Sequence, residues 1–133
     1  MNGNKIVLDT NVIIFASKQQ LYFDKLLENY DDVFVSIITY TEVYGYNFGN
    51  AIEKQLLDAF FENIEIIDVD TAIAQIVIDY RTVSLKKIKL PDAIILATAK
   101  KLNSTLLTDD WDDFLNMDNT VKVVSVEPYK IKN

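Results

Sequence analysis

Short apolar runs alternate along the chain with segments of helical periodicity. Residues 6–8 (Ile-Val-Leu) form a continuous apolar run that ends at the polar residues 9–11, and residues 33–37 form a second strand-like segment that is apolar except for Ser36. Continuous apolar runs of this length are typical of strands that are buried on both faces. The polar residues at their ends are suited to begin helices, so the pattern predicts repeated strand-to-helix units.

The remaining elements follow from the same pattern. An amphipathic helix with Leu21, Lys25, Leu26 and Tyr30 at helical spacing precedes the second strand. The others are a helix that carries Glu42 and ends near residues 49–50, a helix over 51–61, a strand over 64–69, a helix from 70–71, a helix over 90–102 with Pro91 in its first turn, a strand over 105–107, a short helix opened by residues 108–113, and a last strand over 121–126.

Strands that alternate with helices predict an α/β fold. We expect a three-layer α/β/α sandwich with a mainly parallel central sheet, because helical connections between parallel strands cover both faces of the sheet. No repeat or Gly/Pro-rich linker interrupts the pattern. The prediction is therefore one domain over residues 1–133, with a loosely held tail after about residue 127.

Composition first restricts where the protein works. Half of the 133 residues are hydrophobic, which is enough for a buried core without disulfides. No apolar run approaches the roughly 18 to 20 residues that cross a bilayer, and the start of the chain does not have the pattern of a signal peptide. We expect a soluble, cytoplasmic protein that has no membrane partner.

Composition also restricts the chemistry. The sequence contains no cysteine and no histidine, which excludes disulfides, zinc fingers and all Ser-His or Cys-His catalytic pairs. It contains 20 Asp and Glu against 13 Lys and Arg, for a formal net charge of −7. The groups that remain for chemistry are carboxylates, hydroxyls and a modest set of Lys and Arg, and carboxylate oxygens suit hard cations such as Mg²⁺ or Mn²⁺.

Four carboxylates are expected at one edge of the sheet. Asp9 directly follows the first strand, and Asp110 lies three residues after Leu107, the last residue of a later predicted strand. Asp92 and Glu42 lie early in helices that begin at the same edge, where open α/β sheets bind ligands. Carboxylates gathered in a partly buried cleft repel one another by several kcal/mol unless a cation lies among them. The placement therefore predicts a divalent metal site.

Each acid also has a purely structural interpretation. Asp9 is suited to a turn, Thr39 and Glu42 have the spacing of a capping box, and Asp92 is suited to stabilise a helix dipole. The acids of residues 109–113 are typical of a solvated helix start. Taken singly, each acid favours the structural interpretation. Taken together, four acids at one edge of a chain without other reactive groups favour a shared site.

The first half of the sequence carries a resemblance to a known family. Residues 7–14 (Val-Leu-Asp-Thr-Asn-Val-Ile-Ile) resemble the opening motif of PIN domains, especially the VapC-like ribonuclease toxins of bacterial toxin–antitoxin pairs. Residues 36–42, followed by Val43 and Gly45, are similar to the second motif of that family, a strand-end Ser followed by a short apolar stretch and an acid. The acid of this second motif is Glu42.

The second half continues the resemblance. Residues 90–99 (Leu-Pro-Asp-Ala-Ile-Ile-Leu-Ala-Thr-Ala) closely match the third motif, whose Asp contributes to the metal cluster. Residues 105–114 resemble the fourth motif, with Asp110 at the position that family members fill with Asp or Asn. The resemblance covers nearly the whole chain in the same order and spacing, so it is more specific than any one motif.

The resemblance implies a metal-dependent endonuclease that cuts RNA, a compact α/β/α sandwich and frequent homodimers. It implies Mg²⁺ or Mn²⁺ as cofactor. Among the acids of residues 109–113 it ranks Asp110 first as the fourth ligand. The roles that it implies are metal ligands at Asp9, Glu42 and Asp92, a ligand directly or through water at Asp110, orienting residues at Thr10, Asn11 and Thr108, and a peripheral acid at Asp113.

Substrate and partners are also expectations. VapC-like toxins are usually encoded with a small antitoxin that covers the active site, often with a basic residue. The resemblance therefore suggests a small antitoxin as a partner. Trp111 is suited to stack on a base, although packing against the protein is the commoner role of such an aromatic. The basic residues before Asp92 form either a rim that guides RNA or a solvated loop; they are Arg81, Lys86, Lys87 and Lys89.

Other functions stay open on sequence alone. The first alternative is a PIN-like module that binds RNA or protein without turnover, although degenerate domains of this kind usually lose acids that this chain retains. The second is a metal-dependent phosphatase or phosphotransferase with Asp9 as nucleophile, but the second Asp two residues on is missing. A phospho-acceptor receiver domain would need a Lys near the end of a late strand, where residues 107–109 are Leu-Thr-Asp.

Overall fold

Five parallel strands form the central sheet. The structure is a computed structural model that describes residues 4–45, 50–83 and 87–132. Each pair of neighbouring strands is parallel, in the order β3-β2-β1-β4-β5. The strands are β1 (Lys5–Leu8), β2 (Asp32–Ser36), β3 (Glu65–Ile67), β4 (Thr105–Thr108) and β5 (Val123–Ser125).

Helices cover both faces of this sheet. Within the described ranges, no helix has both the length and the hydropathy that a bilayer crossing requires. The described α-helices are α1 (Thr10–Ser17), α2 (Phe23–Asn29), α3 (Ile37–Tyr44), α4 (Ala51–Phe61), α5 (Thr71–Val83), α6 (Leu90–Leu102) and α7 (Trp111–Phe114), and a 3₁₀ turn spans Glu127–Tyr129. This arrangement confirms the predicted α/β/α sandwich and its parallel sheet.

The two faces of the sheet bury separate apolar cores. Ile6 and Leu8 of β1 pack with α1 and α4, whereas Val7 between them packs with α5 and α6. All three side chains are fully buried. Successive side chains of a strand point to opposite faces, so a strand with helices on both sides must be apolar at every position. This explains the continuous apolar runs in the sequence.

Local signals place several helix ends. Helix α4 covers the predicted residues 51–61 and is capped by Asn50, whose side chain accepts from the Glu53 N–H at 3.0 Å. Helix α6 covers the predicted residues 90–102, with Pro91 in its first turn and Asn103 in the left-handed conformation at its end. Both signals act within a few residues of the helix end, which makes them readable from sequence.

Strand ends were predicted less well. The predicted strands 64–69 and 121–126 each contain only three paired residues, because β3 and β5 are edge strands and pair only as far as their neighbours extend. Leu21, predicted within a helix, lies before α2 and pairs with Lys130. The described part of α3 ends at Tyr44, and the predicted helix end near residue 49 lies outside the described residues.

The C-terminal tail is bonded to the segment before α2. Leu21 forms an antiparallel bridge with Lys130, and the Tyr22 N–H donates to the Tyr129 carbonyl at 2.8 Å. The Ile131 N–H donates to the carbonyl of residue 20 at 3.0 Å. These bonds differ from the expected loosely held tail. The pairing joins segments that are far apart in sequence, so no local pattern indicated it.

Candidate active site

The carboxyl ends of β1 and β4 lie at the topological switch point of the sheet. From β1 the chain builds β2 and β3 on one side, and then β4 and β5 on the other. The Asp9 N–H donates to the Leu107 carbonyl at 2.9 Å, so the two strands stay together to their ends. Open α/β sheets bind ligands in the crevice at such a point, and the fold therefore selects this edge.

Asp9 is a buried carboxylate at the centre of this edge. Its side chain accepts from the Thr108 hydroxyl at 2.6 Å and from the Thr10 N–H at 2.8 Å, where it caps α1. Burial raises the pKa of Asp9 to about 6; the bonds from Thr108 and Thr10 lower it, and the charges of Asp92 and Asp110 raise it. Keeping Asp9 ionised at neutral pH is thus costly without a nearby cation.

Glu42 reaches the same edge from α3. Ser36 caps this helix by accepting from the Ile38 N–H at 3.2 Å, so Glu42 lies in the second turn. The Thr10 hydroxyl donates to the Glu42 carboxylate at 2.6 Å. The capping-box interpretation is therefore wrong, because Thr39 lies inside the helix and Glu42 bonds to Thr10. Thr39 itself is fully buried with its hydroxyl 3.2 Å from that of Thr10, a contact that the sequence did not reveal.

Asp92 lies in the first turn of α6. The end of this helix leads into the start of β4. Its first turn therefore lies at the opposite edge, where the strands have their carboxyl ends. Burial raises the pKa of Asp92, the charge of Asp113 raises it further, Lys89 lowers it, and Asp110 and Glu42 add smaller increases. An isolated acid at a helix start would show the opposite shift, because the helix dipole favours the charged form. Asp92 thus senses several other carboxylates.

Asp110 is held at this edge by two neighbours. Its carboxylate accepts from the Asn11 side-chain amide at 2.9 Å, and its N–H donates to the Thr108 hydroxyl oxygen at 2.9 Å. The Thr108 hydroxyl in turn donates to Asp9. Thr108 therefore links the two acids that follow β1 and β4, and it is fully buried between them.

Asp109 has a different environment from Asp110. Its carboxylate forms an ion pair with Lys130 at 2.7 Å, while its N–H donates to the Asn11 side-chain oxygen at 3.2 Å. Lys130 thus balances the charge of Asp109 and connects the C-terminal tail to the acidic turn. Sequence analysis missed this residue, since no motif or spacing relates position 130 to position 109.

The basic rim is only partly described. Lys86 lies outside the described residues, and Arg81 and Lys87 are exposed. Lys89 is also exposed, but its charge acts on Asp92. Among the described residues of the predicted rim, Lys89 is thus the one whose charge lowers the pKa of Asp92.

All eight site residues from the sequence lie at this one edge, joined by hydrogen bonds or by electrostatic effects. Their oxygen donors have the chemistry that Mg²⁺ or Mn²⁺ prefers. In residues 4–45, 50–83 and 87–132, however, no three acids stand close enough to coordinate one ion. The residues that lie at this edge are Asp9, Thr10, Asn11, Glu42, Asp92, Thr108, Asp110 and Asp113.

A parallel α/β sandwich with carboxylates at its switch point defines the class of the protein. Residues 6–119 match the family model of the PIN domain, and the chain belongs to this family. A search of the curated proteins gave no match.

Solved structures similar to this chain include VapBC and other toxin–antitoxin complexes. A chain of a toxin–antitoxin complex from Klebsiella pneumoniae is 29% identical, with a TM-score of 0.72 and coverage of 95% of this chain and 99% of that chain. VapBC-5 from Mycobacterium tuberculosis is 26% identical, with a TM-score of 0.66 and coverage of 92% of this chain and 97% of that chain. VapBC2 from Rickettsia felis, bound to a promoter DNA fragment, is 24% identical, with a TM-score of 0.76 and coverage of 91% of this chain and 98% of that chain. The chain thus resembles VapC-like PIN toxins.

Proposed function

We propose that this protein is a metal-dependent endoribonuclease that hydrolyses RNA phosphodiester bonds and acts as the toxin of a toxin–antitoxin pair. The observation that carries the proposal is Asp9, a buried acid whose pKa is raised and whose neighbours include Asp92 and Asp110. PIN domains are generally nucleases. The absence of cysteine and histidine from the sequence leaves carboxylate-bound metal as the chemistry that this site supports best.

Four acids are the proposed ligands of Mg²⁺ or Mn²⁺: Asp9, Glu42, Asp92 and Asp110, with Asp113 at the periphery. A divalent cation would offset the burial and the carboxylate repulsion that raise the pKa of Asp9 and Asp92. When bound, such an ion lowers the pKa of a coordinated water and stabilises charge on a phosphodiester. Glu42 and Asp110 are exposed, so they have room to turn toward an ion.

The hydroxyls and the amide hold these acids in place. Thr108 and the Thr10 N–H each use one bond to Asp9, and carboxylate oxygens keep further lone pairs for a cation. The Thr10 hydroxyl holds Glu42, and Asn11 holds Asp110. Thr10 and Asn11 at the start of α1, together with Thr108 at the end of β4, thus orient three acids from three segments. This order reduces the entropy lost when a cation binds.

Other functions are less well supported by the geometry. A phosphatase that uses Asp9 as nucleophile needs an accessible carboxylate, but Asp9 is only 4% exposed and is bonded to Thr108 and Thr10. A PIN-like binding module without turnover has no need of the complete acid set. That module remains the second proposal, because no three of the described acids converge on a single ion.

Purified protein is expected to cut a mixed pool of structured RNA in Mg²⁺ or Mn²⁺, and not in EDTA. Asp92→Asn is expected to lower the cleavage rate by at least about a hundredfold, because it removes one metal-binding charge. The measurement is the initial rate of cleavage on denaturing gels. Asp24→Asn is the matched control, since Asp24 lies in the first turn of α2 and is exposed.

Two results would count against the nuclease. Cleavage that persists in EDTA or in Asp92→Asn would place the activity outside these acids or in a contaminant. RNA binding without cleavage in either metal would instead favour the binding module. Loss of activity in Asp24→Asn would show that the assay responds to any lost acid.

The proposal includes a small antitoxin, a homodimer and action in the cytoplasm. The similar structures are toxin–antitoxin complexes, and the exposed acids offer a basic side chain a place to bind. Exposed Ile78 on α5 offers an apolar side chain to a second copy, and sedimentation equilibrium tests the homodimer. Expression of the wild type in bacteria is expected to arrest growth, and Asp92→Asn is not. Equal growth of the two strains would contradict the toxin role.

A further inference from the structure

Trp111 is an exposed aromatic side chain beside the acid cluster. It is the single tryptophan of the sequence, it directly follows Asp110, and it is 41% exposed. Phe114, one turn later in α7, is 2% exposed and belongs to the core. Phe114 therefore anchors this helix, and much of the Trp111 indole stays in solvent, where the sequence favoured packing against the protein.

Trp111 lines an open pocket of about 200 Å³. Asn116 and Asn119 also line it, and no hydrogen bond joins either side chain to another described residue. Asn116 has φ of 63°, a left-handed conformation in the turn that follows α7. The other lining residues are Phe114, Leu115, Asp118, Val121 and Val123.

The charge of this pocket is largely balanced. The Asp118 carboxylate accepts from the Lys100 ammonium at 2.9 Å and from the Tyr80 hydroxyl at 2.5 Å. It also accepts from the Thr120 hydroxyl and N–H. The pocket is thus lined by an indole, two asparagines and apolar side chains, and its one carboxylate is paired.

Helix α7 separates this pocket from the acids. Asp113, whose charge acts on Asp92, lies two residues after Trp111, which is about 200° around an α-helix. The indole and the Asp113 carboxylate therefore project from opposite sides of a helix about 10 Å wide. Because Trp111 directly follows Asp110 at the start of α7, a nucleic-acid strand bound at the acids would carry a base further along the strand past Trp111.

We propose that this pocket binds one unpaired nucleobase of the RNA strand, on the far side of α7 from the bond that is cut. The indole stacks on the base, and the two amides donate to and accept from its edge, as in the recognition of splayed bases of single-stranded RNA. The proposal rests on the proposed ribonuclease function. It also explains how a chain of net charge −7 holds RNA, because stacking needs less of the phosphate attraction that basic proteins use.

The fluorescence of this single tryptophan reports directly on the pocket. The Asp92→Asn variant in Mg²⁺ is titrated with a short single-stranded RNA of mixed sequence, while labelled RNA gives binding independently. The indole fluorescence is expected to be quenched by this RNA, and not by an abasic strand of the same length or by a fully paired duplex. Quenching that is equal for the abasic strand would overturn the proposal.

Substitution tests the same pocket in the active protein. Trp111→Ala is expected to weaken RNA binding and to lower kcat/KM roughly tenfold to a hundredfold, since stacking on one base has about that effect. Trp111→Phe is expected to restore most of it. The control is Tyr22→Ala, an aromatic of 45% exposure at the start of α2, which is expected to leave cleavage unchanged.

The outcomes separate the pocket from the nuclease. Wild-type cleavage with no quenching, and with unchanged kcat/KM in Trp111→Ala, would overturn the base pocket alone. Quenching by single-stranded RNA without wild-type cleavage would support the pocket and overturn the nuclease. Neither cleavage nor quenching would overturn both. Thermal unfolding of Trp111→Ala is expected to match the wild type, because Phe114 keeps α7 in place.

Discussion

Replacement of Asp9 by Asn is expected to abolish RNA cleavage and to stabilise the metal-free protein at neutral pH. The carboxylate is almost fully buried, and its pKa is raised from 3.8 to about 6. A shift of that size corresponds to about 3 kcal/mol of folding stability lost when Asp9 is ionised. Asn is neutral and is also a good helix cap, so it avoids this cost while it removes a proposed metal-binding charge.

The pH dependence has a definite sign. The folded pKa of Asp9 lies above the value of 3.8 in the unfolded chain, so folding takes up a proton between these two values. Stability is therefore highest below about pH 4 with respect to this group, falls as the pH rises toward 6, and stays reduced above it. The difference in stability between Asp9→Asn and the wild type should grow over that window.

The measurement is thermal unfolding of both proteins in EDTA across this pH range, followed by the same scans with Mn²⁺. We expect Mn²⁺ to stabilise the wild type at neutral pH and to have little effect on Asp9→Asn, because ligand binding raises apparent stability only where a site exists. A variant that is less stable than the wild type in EDTA would show that the ionised Asp9 carboxylate does not destabilise the folded protein. Cleavage by Asp9→Asn would remove Asp9 from the site.

Replacement of Asp118 by Ala is expected to lower the free energy of unfolding by about 1–3 kcal/mol, the usual cost of leaving a buried polar group without its hydrogen-bond partner. The Asp118 side chain is 6% exposed and pairs with Lys100. It also accepts from the Tyr80 and Thr120 hydroxyls, both at 2.5 Å. The variant leaves the Tyr80 hydroxyl unpaired on a residue that is itself buried.

Asp118 should also contribute to the loss of stability in acid. Burial raises the pKa of Asp118, but the bonds from Thr120, Tyr80 and Lys100 outweigh burial and hold it at about 2. The folded pKa lies below the unfolded value of 3.8, so this contribution is complete above about pH 4 and is lost as the pH falls toward 2. Urea unfolding at neutral pH and at pH 3 measures both effects.

The matched control for Asp118 is Asp79→Ala. Asp79 is an exposed acid of α5 that accepts one side-chain bond, from Gln75 at 3.1 Å. Its replacement is expected to change the free energy of unfolding by less than about 0.5 kcal/mol. An effect of Asp118→Ala no larger than that of this control would show that the buried network is not a significant source of stability.

The sequence alone determined most of the elements and predicted the kind of site. The continuous apolar run of residues 6–8 indicated a strand buried on both faces, and the bounds of α4 and α6 were predicted as the structure has them. These signals depend on side-chain periodicity and on caps, which act between residues that are close in the chain. The positions of Asp9 after a strand and Asp92 at a helix start are local in the same way.

The tertiary structure decided which side chains meet. The strand order β3-β2-β1-β4-β5 places the ends of β1 and β4 side by side, and only then does Thr108 bond to Asp9. The pair of Lys130 with Asp109 and the exposure of Trp111 above a buried Phe114 also arise from contacts between distant segments. Periodicity reports whether a residue is buried and on which side, but it carries no information about its partner, because the partner depends on how the whole chain packs.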